Sequence, residues 1–176
     1  MWWRSPALAV VVLAAAVAGL GLSGCGFQPL YGSGTTTASG ARLSEVMSAV
    51  KITPIPGRVG QKVRNELIFT NTGGNYAPEP RYRLDIAVRE RVIDQLVQIT
   101  GDARGQVYQL EASFELIDAA NGRVIHQGTA ISRAAYNRYQ EIFANVRARY
   151  DAENRAARTV SDSIKTQVAA FLATAA

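Results

Sequence analysis

Tyr82-Arg83-Leu84-Asp85-Ile86-Ala87-Val88-Arg89 alternates without a break, with Tyr, Leu, Ile and Val on one side and Arg, Asp, Ala and Arg on the other. Successive side chains of a strand point to opposite faces, so this segment predicts one apolar and one solvated face. Such a strand belongs to a sheet covered on a single side, not to a parallel sheet buried on both. The continuation from Val92 to Ile99 is less regular and predicts a bulge. Gly101 to Gly105 reads as a hairpin tip.

A second alternating run returns from that tip, with Tyr108, Leu110, Ala112, Phe114 and Leu116 inward and Gln109, Glu111, Ser113 and Glu115 outward. Asn121-Gly122 supplies the next turn. A further strand runs from about Arg123 to Ala134, interrupted by Gly128. Upstream, Val46, Ser48, Val50 and Ile52 predict a short strand beginning near Ser44 and ended by Pro54 and Pro56. Val59, Val63 and Leu67, each four residues after the last, predict an amphipathic helix that stops at Asn71-Thr72-Gly73-Gly74. Pro78 and Pro80 mark a loop. A last helix from about Asp151 carries Val160, Ile164, Val168 and Phe171 on one stripe, with Leu172 beside it.

The order is therefore β-α-β-β-β-α. Strands with one apolar face and helices with one apolar stripe bury each other most simply as a two-layer α+β sandwich. That is a four-stranded, mainly antiparallel sheet with both helices on one face, the first strand joined by a right-handed crossover. This single domain is placed at residues 44–176.

The N-terminus predicts export. Met1-Trp2-Trp3-Arg4 is a short basic start, and Ala7 to Leu20 is continuously Ala, Val, Leu and Gly, a secretory h-region too short for an ordinary membrane span. Leu22-Ser23-Gly24-Cys25 follows and resembles the lipobox of bacterial lipoproteins, so residues 1–24 are read as a signal peptide and Cys25 as the lipidated residue. The competing reading is an N-terminal membrane anchor with an incidental cysteine. Each buried methylene of an acyl chain contributes about 0.8 kcal/mol, and two or three chains on one cysteine anchor stably where one does not. Gly26, rather than Asp, follows Cys25; by resemblance to the sorting signals of diderm bacteria this favours the outer membrane. Residues 25–43, with Gly, Ser, Thr and Ala between Gly32 and Gly40, are read as the lipidated cysteine and a flexible tether.

Charge and residue inventory narrow the chemistry. The formal net charge is +5, and residues 1–24 contain only one charged side chain, Arg4. The excess favours anionic partners such as phosphorylated lipids, while export argues against nucleic acid. A single cysteine excludes an intrachain disulfide and Cys-rich metal sites, and one histidine with scattered carboxylates lacks metal-ligand spacing. That histidine, His126, lies within a strand and reads as structural rather than catalytic. Gly57-Arg58-Val59-Gly60-Gln61-Lys62 misses the spacing of a phosphate loop and the hydroxyl residue after its lysine. Glu111 and Glu115 share a solvated strand face. No catalytic residue and no metal site is assigned, and the expected cofactor set is empty apart from covalent diacylglycerol and N-acyl lipid on Cys25. What remains is a basic and aromatic population: Arg104 at the hairpin tip, and Arg133, Arg138, Arg147 and Arg149 interleaved with Tyr136, Tyr139, Phe143 and Tyr150 in a loop before the last helix. Arginine forks suit phosphate and aromatic rings suit acyl or sugar surfaces; a merely solvated loop is the other reading.

Gly24-Cys25-Gly26-Phe27-Gln28-Pro29-Leu30-Tyr31-Gly32 resembles the start of the lipopolysaccharide-assembly lipoprotein family, the LptE family, in its alphaproteobacterial form. Arg64-Asn65-Glu66-Leu67, Tyr82-Arg83-Leu84 and Tyr108-Gln109-Leu110 fit the same family. The resemblance implies the sandwich reached above from periodicity. It also implies a non-catalytic outer-membrane lipoprotein that plugs a large β-barrel, LptD, supports its assembly, and helps deliver lipopolysaccharide to the cell surface, facing the periplasm or the barrel lumen. Lipopolysaccharide-binding positions carried over from the family are Arg104, and Arg147 or Arg149. The C-terminal end, at Ala176 directly after the helix, is shorter than in better-known members. Two readings compete: an auxiliary lipoprotein of an ABC-type phospholipid or solvent transport system, and a lipid-tethered hydrolase, which lacks a catalytic set.

Overall fold

The computed structural model describes residues 35–72, 79–97 and 103–175. The expected signal peptide, Cys25 and most of the expected hairpin tip lie outside these residues. In chain order the elements are α1 (Leu43–Ser48), β1 (Val50–Ile52), α2 (Arg58–Thr72), β2 (Tyr82–Val97), β3 (Ala103–Asp118), β4 (Val124–Asn137) and α3 (Ile142–Ala175). The strands form one sheet in the order β1-β2-β3-β4, with β1 parallel to β2 and the remaining pairs antiparallel. This is the expected four-stranded α+β sandwich.

The alternation in β2 and β3 is read out as predicted. Leu84, Ile86, Tyr108, Leu110, Ala112, Phe114 and Leu116 are buried and share one core with Val59, Val63 and Leu67 of α2 and Val160, Ile164, Val168 and Leu172 of α3. Phe171 is only half-buried. It stacks on His126, ring centroids 4.7 Å apart and nearly parallel, while Leu172 takes the core position.

Five local expectations are corrected. The strand predicted from Ser44 is a helical turn followed by only three strand residues, because Leu43, Val46, Met47 and Val50 are the buried set and their spacing is helical. Residues 35–43, expected to belong to the tether, are packed against the fold instead. Thr36 bridges Arg42, Thr37 is buried, and the Ala38 N–H donates to the Ala173 carbonyl at 3.1 Å, tying residues 35–43 to the end of α3. The bulge expected in β2 is absent from its described pairing, which runs in register from Tyr82↔Asp118 to Gln95↔Gly105; the register shift lies between Leu116 and Ile117 on the β4 side. Strand β4 extends to Asn137 rather than Ala134. Finally, α3 starts at Ile142 rather than near Asp151, so Arg147 and Arg149 stand on a helix instead of a loop. Ala152 and Ala156 continue the four-residue spacing of Val160, Ile164 and Val168 toward the N-terminus, and once the packed part of α3 is formed each further turn costs little.

Helix α3 has 34 residues, about 50 Å at the usual rise. No helix of the described residues is long and apolar enough to cross a membrane.

Candidate functional site

The hairpin end of the sheet, where β2 and β3 turn and β4 ends, is also the end where α3 begins. Gly105 pairs with Asn137, so the backbone of Arg104 at the start of β3 and Arg138 just after β4 lie at one end of the fold. The first turns of α3 bring Arg147 and Arg149 to the same end. The two basic regions singled out in the sequence, about forty residues apart, are thereby brought together.

Their arginines are not equivalent. Arg149 Nε donates to Glu153 Oε1 at 2.8 Å, one helical turn along α3. The other oxygen of Glu153 accepts from Arg58 at the start of α2, whose guanidinium also lies over the Tyr150 ring, 4.4 Å from its centroid. Glu153 is a buried residue, 4% exposed, and it is satisfied by both guanidinium groups. Arg149 therefore belongs to a structural clamp that fastens α2 to α3. Arg138 and Arg147 are exposed, and no hydrogen bond or ion pair engages either side chain among the described residues.

Beneath the clamp, Tyr108 is fully buried and its hydroxyl donates to Glu90 Oε2 at 2.7 Å. Loss of solvent, followed by the hydrogen bond and the negative charge of Glu90, pushes the Tyr108 phenol far above its ordinary range, so it acts as a fixed neutral donor. Tyr136 donates to Gln106 Oε1 at 2.7 Å, and burial raises its phenol as well. Gln106 in turn donates to Asp94 at 2.6 Å.

The start of α3 also carries the most exposed apolar surface of the described chain. Phe143 is 87% and Ile142 78% exposed, with Tyr139, Val146 and Tyr150 beside them. The connection into the helix is held by Asn145, whose Oδ1 accepts from the Tyr139 N–H at 2.6 Å and whose Nδ2 donates to the Tyr139 carbonyl. Free guanidinium groups next to exposed aromatic and aliphatic side chains can engage an amphiphile with an anionic head and an apolar body. The sequence supplied the residue types; it could not separate Arg147 from Arg149, because the partner that engages Glu153 with Arg149, Arg58, lies 95 residues from Glu153.

Elsewhere, His126 lies between Phe114 and Phe171 as a packing residue. A concavity of about 580 Å³ on the outer sheet face is lined by Asp85, Ser113, Glu115, Gln127 and Thr129, and neither hydroxyl group is hydrogen-bonded to a carboxylate. No group of metal-ligating side chains occurs among the described residues.

Solved structures that share this fold include the following two. One is a protein of Caulobacter crescentus CB15 described as a candidate lipoprotein, with a TM-score of 0.65, 22% identity, and coverage of 74% of this chain and 96% of that one. The other is the rare lipoprotein B of Shewanella oneidensis, with a TM-score of 0.52, 13% identity, and coverage of 69% and 94%. At these identities the likeness establishes the fold. No protein-family model matches the chain, and no curated protein matches it.

Proposed function

We propose that this chain is a non-catalytic outer-membrane lipoprotein, acylated on Cys25, that seats in a large β-barrel of the LptD type and helps hand lipopolysaccharide to the cell surface. The observation that carries this reading is the convergence, at one end of a fold shared with lipoproteins, of Arg104, Arg138 and Arg147 with exposed Ile142 and Phe143. A phosphorylated acylated glycolipid presents the anionic groups and hydrocarbon that this pairing complements. Arg104 and Arg147 are the ligand-contacting positions in this reading, and Arg149 is withdrawn to the clamp with Glu153.

The test is to purify the full chain through a C-terminal tag from membranes solubilised in mild detergent. A large outer-membrane barrel in near-equal amount supports the proposal. An inner-membrane ATPase complex in its place would move the protein to the auxiliary transport class. Two mutational results accompany it. Arg104→Glu and Arg147→Glu are each expected to weaken lipopolysaccharide binding about tenfold with unchanged thermal unfolding, as measured in a direct binding assay; unchanged binding in both would remove these positions from the site. Cys25→Ser is expected to leave an uncleaved, unlipidated precursor, detected by mass spectrometry, and normal processing of that variant would end the lipoprotein reading.

A further inference from the structure

The two edges of the sheet are treated differently. Along the outer edge of β4, α3 supplies side-chain donors to the main chain: Gln167 Nε2 reaches the Thr129 carbonyl at 3.3 Å and Arg155 Nη2 the Ala135 carbonyl at 3.0 Å. Strand pairing there is obstructed by the protein's own helix. On the opposite edge, β1 pairs with β2 only from Tyr82 to Leu84. The Tyr82 N–H and Leu84 carbonyl point toward that edge, bonding Ala49 and Thr53. By the alternation of a strand, Glu90, Val92 and Asp94 present their N–H and carbonyl groups to the same side. Among the described residues no group bonds the main chain of residues 89–95 from that side. Every side chain from Arg89 to Gln95 is exposed, although Val107, Tyr108 and Leu110 on the neighbouring strand are buried. A bare edge of this kind is a template for a further strand.

A groove of about 350 Å³ adjoins this edge on the helix side, lined by Arg58, Val59, Glu90, Val146 and Tyr150 together with the clamp residues. Its two carboxylates and two guanidinium groups balance in sign, and each is hydrogen-bonded: Glu90 accepts from Tyr108, and Glu153 holds Arg58 and Arg149. What it offers an incoming side chain is therefore the apolar surface of half-exposed Val146 and Tyr150, with Val59 buried in its wall. On the outer face the balance is cationic. Arg91 lies opposite Gln109, whose amide oxygen already accepts from Arg133, and Arg89 has only Glu111 across from it. An added strand would thus meet the groove beyond Glu90, Val92 and Asp94 on one face, and on the other Arg91, which has no acidic residue across from it, beside Arg89. A second copy of β2 paired antiparallel about Glu90 would set Arg89 against Arg91 twice, and one paired about Val92 would set Glu90 against Asp94 twice.

We infer that the distal edge of β2 takes up an extended segment of a partner protein in which apolar residues, entering the groove, alternate with acidic residues facing Arg89 and Arg91. The main chain of Glu90, Val92 and Asp94 supplies the ladder, and the side-chain alternation supplies the specificity.

The probe is a fluorescein-labelled synthetic peptide alternating valine and glutamate, titrated into the full chain in mild detergent, with a valine–lysine peptide as comparison. The glutamate peptide is expected to bind about tenfold more tightly than the lysine peptide, and Arg91→Glu to invert that order. Val92→Pro removes an edge N–H while leaving the β3 side of the strand paired, and is expected to lower affinity about tenfold with an unchanged circular dichroism spectrum. Hydrogen exchange on the unmodified chain reads the same site without mutation: the peptide is expected to slow the amides of Glu90, Val92 and Asp94. Equal affinity for the two peptides, or protection along residues 124–137 in place of residues 89–95, overturns the inference.

Discussion

Replacing both clamp arginines, Arg58→Ala with Arg149→Ala, is expected to destabilise the fold by about 3–5 kcal/mol, read from denaturant unfolding. The magnitude follows from what is left behind. The Glu153 side chain is 5% exposed, whereas those of Arg58 and Arg149 are 45% and 53% exposed. Without the arginines the carboxylate is buried with no compensating charge; without the carboxylate, two half-exposed guanidinium groups hydrate where they stand. Glu153→Gln is accordingly expected to cost much less, about 1–2 kcal/mol, mostly from weakened hydrogen bonds. The two changes also differ in pH dependence. In the double variant, burial raises the folded-state pKa of Glu153 above its unfolded value, so the folded state binds more protons in the window between them. Stability of that variant should therefore recover as the pH falls through that window, and the Glu153→Gln variant, which has no carboxyl to protonate there, should not show this recovery. A double variant as stable as the parent would mean that the clamp is solvated and that Arg149 is as available to ligand as Arg147.

The elements legible in the sequence are those whose environment is set by a single rule repeated several times. β2 and β3 alternate over many residues because one face meets the helices and the other meets water, and α2 repeats its four-residue spacing because one stripe meets the core. Segment 43–52 misleads because its apolar residues satisfy both periods. Val46, Val50 and Ile52 fit a strand, whereas Leu43, Val46, Met47 and Val50 fit a helix, and only packing against α2 and α3 decides. The start of α3 is hidden for the opposite reason. Its first turns bury little: Ile142, Val146 and Tyr150 stay exposed, with the Arg58 guanidinium lying over the Tyr150 ring, and the stretch reads like a loop rich in Tyr and Arg. The site is legible in its residue types and not in its pairings, since the separation of free Arg147 from engaged Arg149 depends on a contact between α2 and α3.

Gly128 presents the same limit at a single residue. In the sequence it interrupts the alternation of β4 and looks like a weakness, since glycine gives a strand interior nothing to pack. In the fold it stands directly across from Phe114, whose ring covers it. A Cβ built on Gly128 would lie 2.7 Å from Phe114 Cζ and 2.9 Å from Cε1, closer than real contacts allow, and 2.7 Å from the Gln167 amide oxygen. The amide can swing aside, although it would loosen the Gln167 bond to the β4 edge. The ring cannot move as easily, because Phe114 is 2% exposed and packed in the core. Gly128→Ala is therefore expected to destabilise by about 1–3 kcal/mol through overpacking, despite the better strand propensity of alanine. The cause is separable from a backbone effect by a double-mutant cycle. On a Phe114→Leu background the added methyl finds space, and the cost of Gly128→Ala should shrink by at least about 1 kcal/mol. An unchanged cost on that background would place the penalty in the main chain of β4 and not in the ring, and the glycine would then be there for the strand's own geometry.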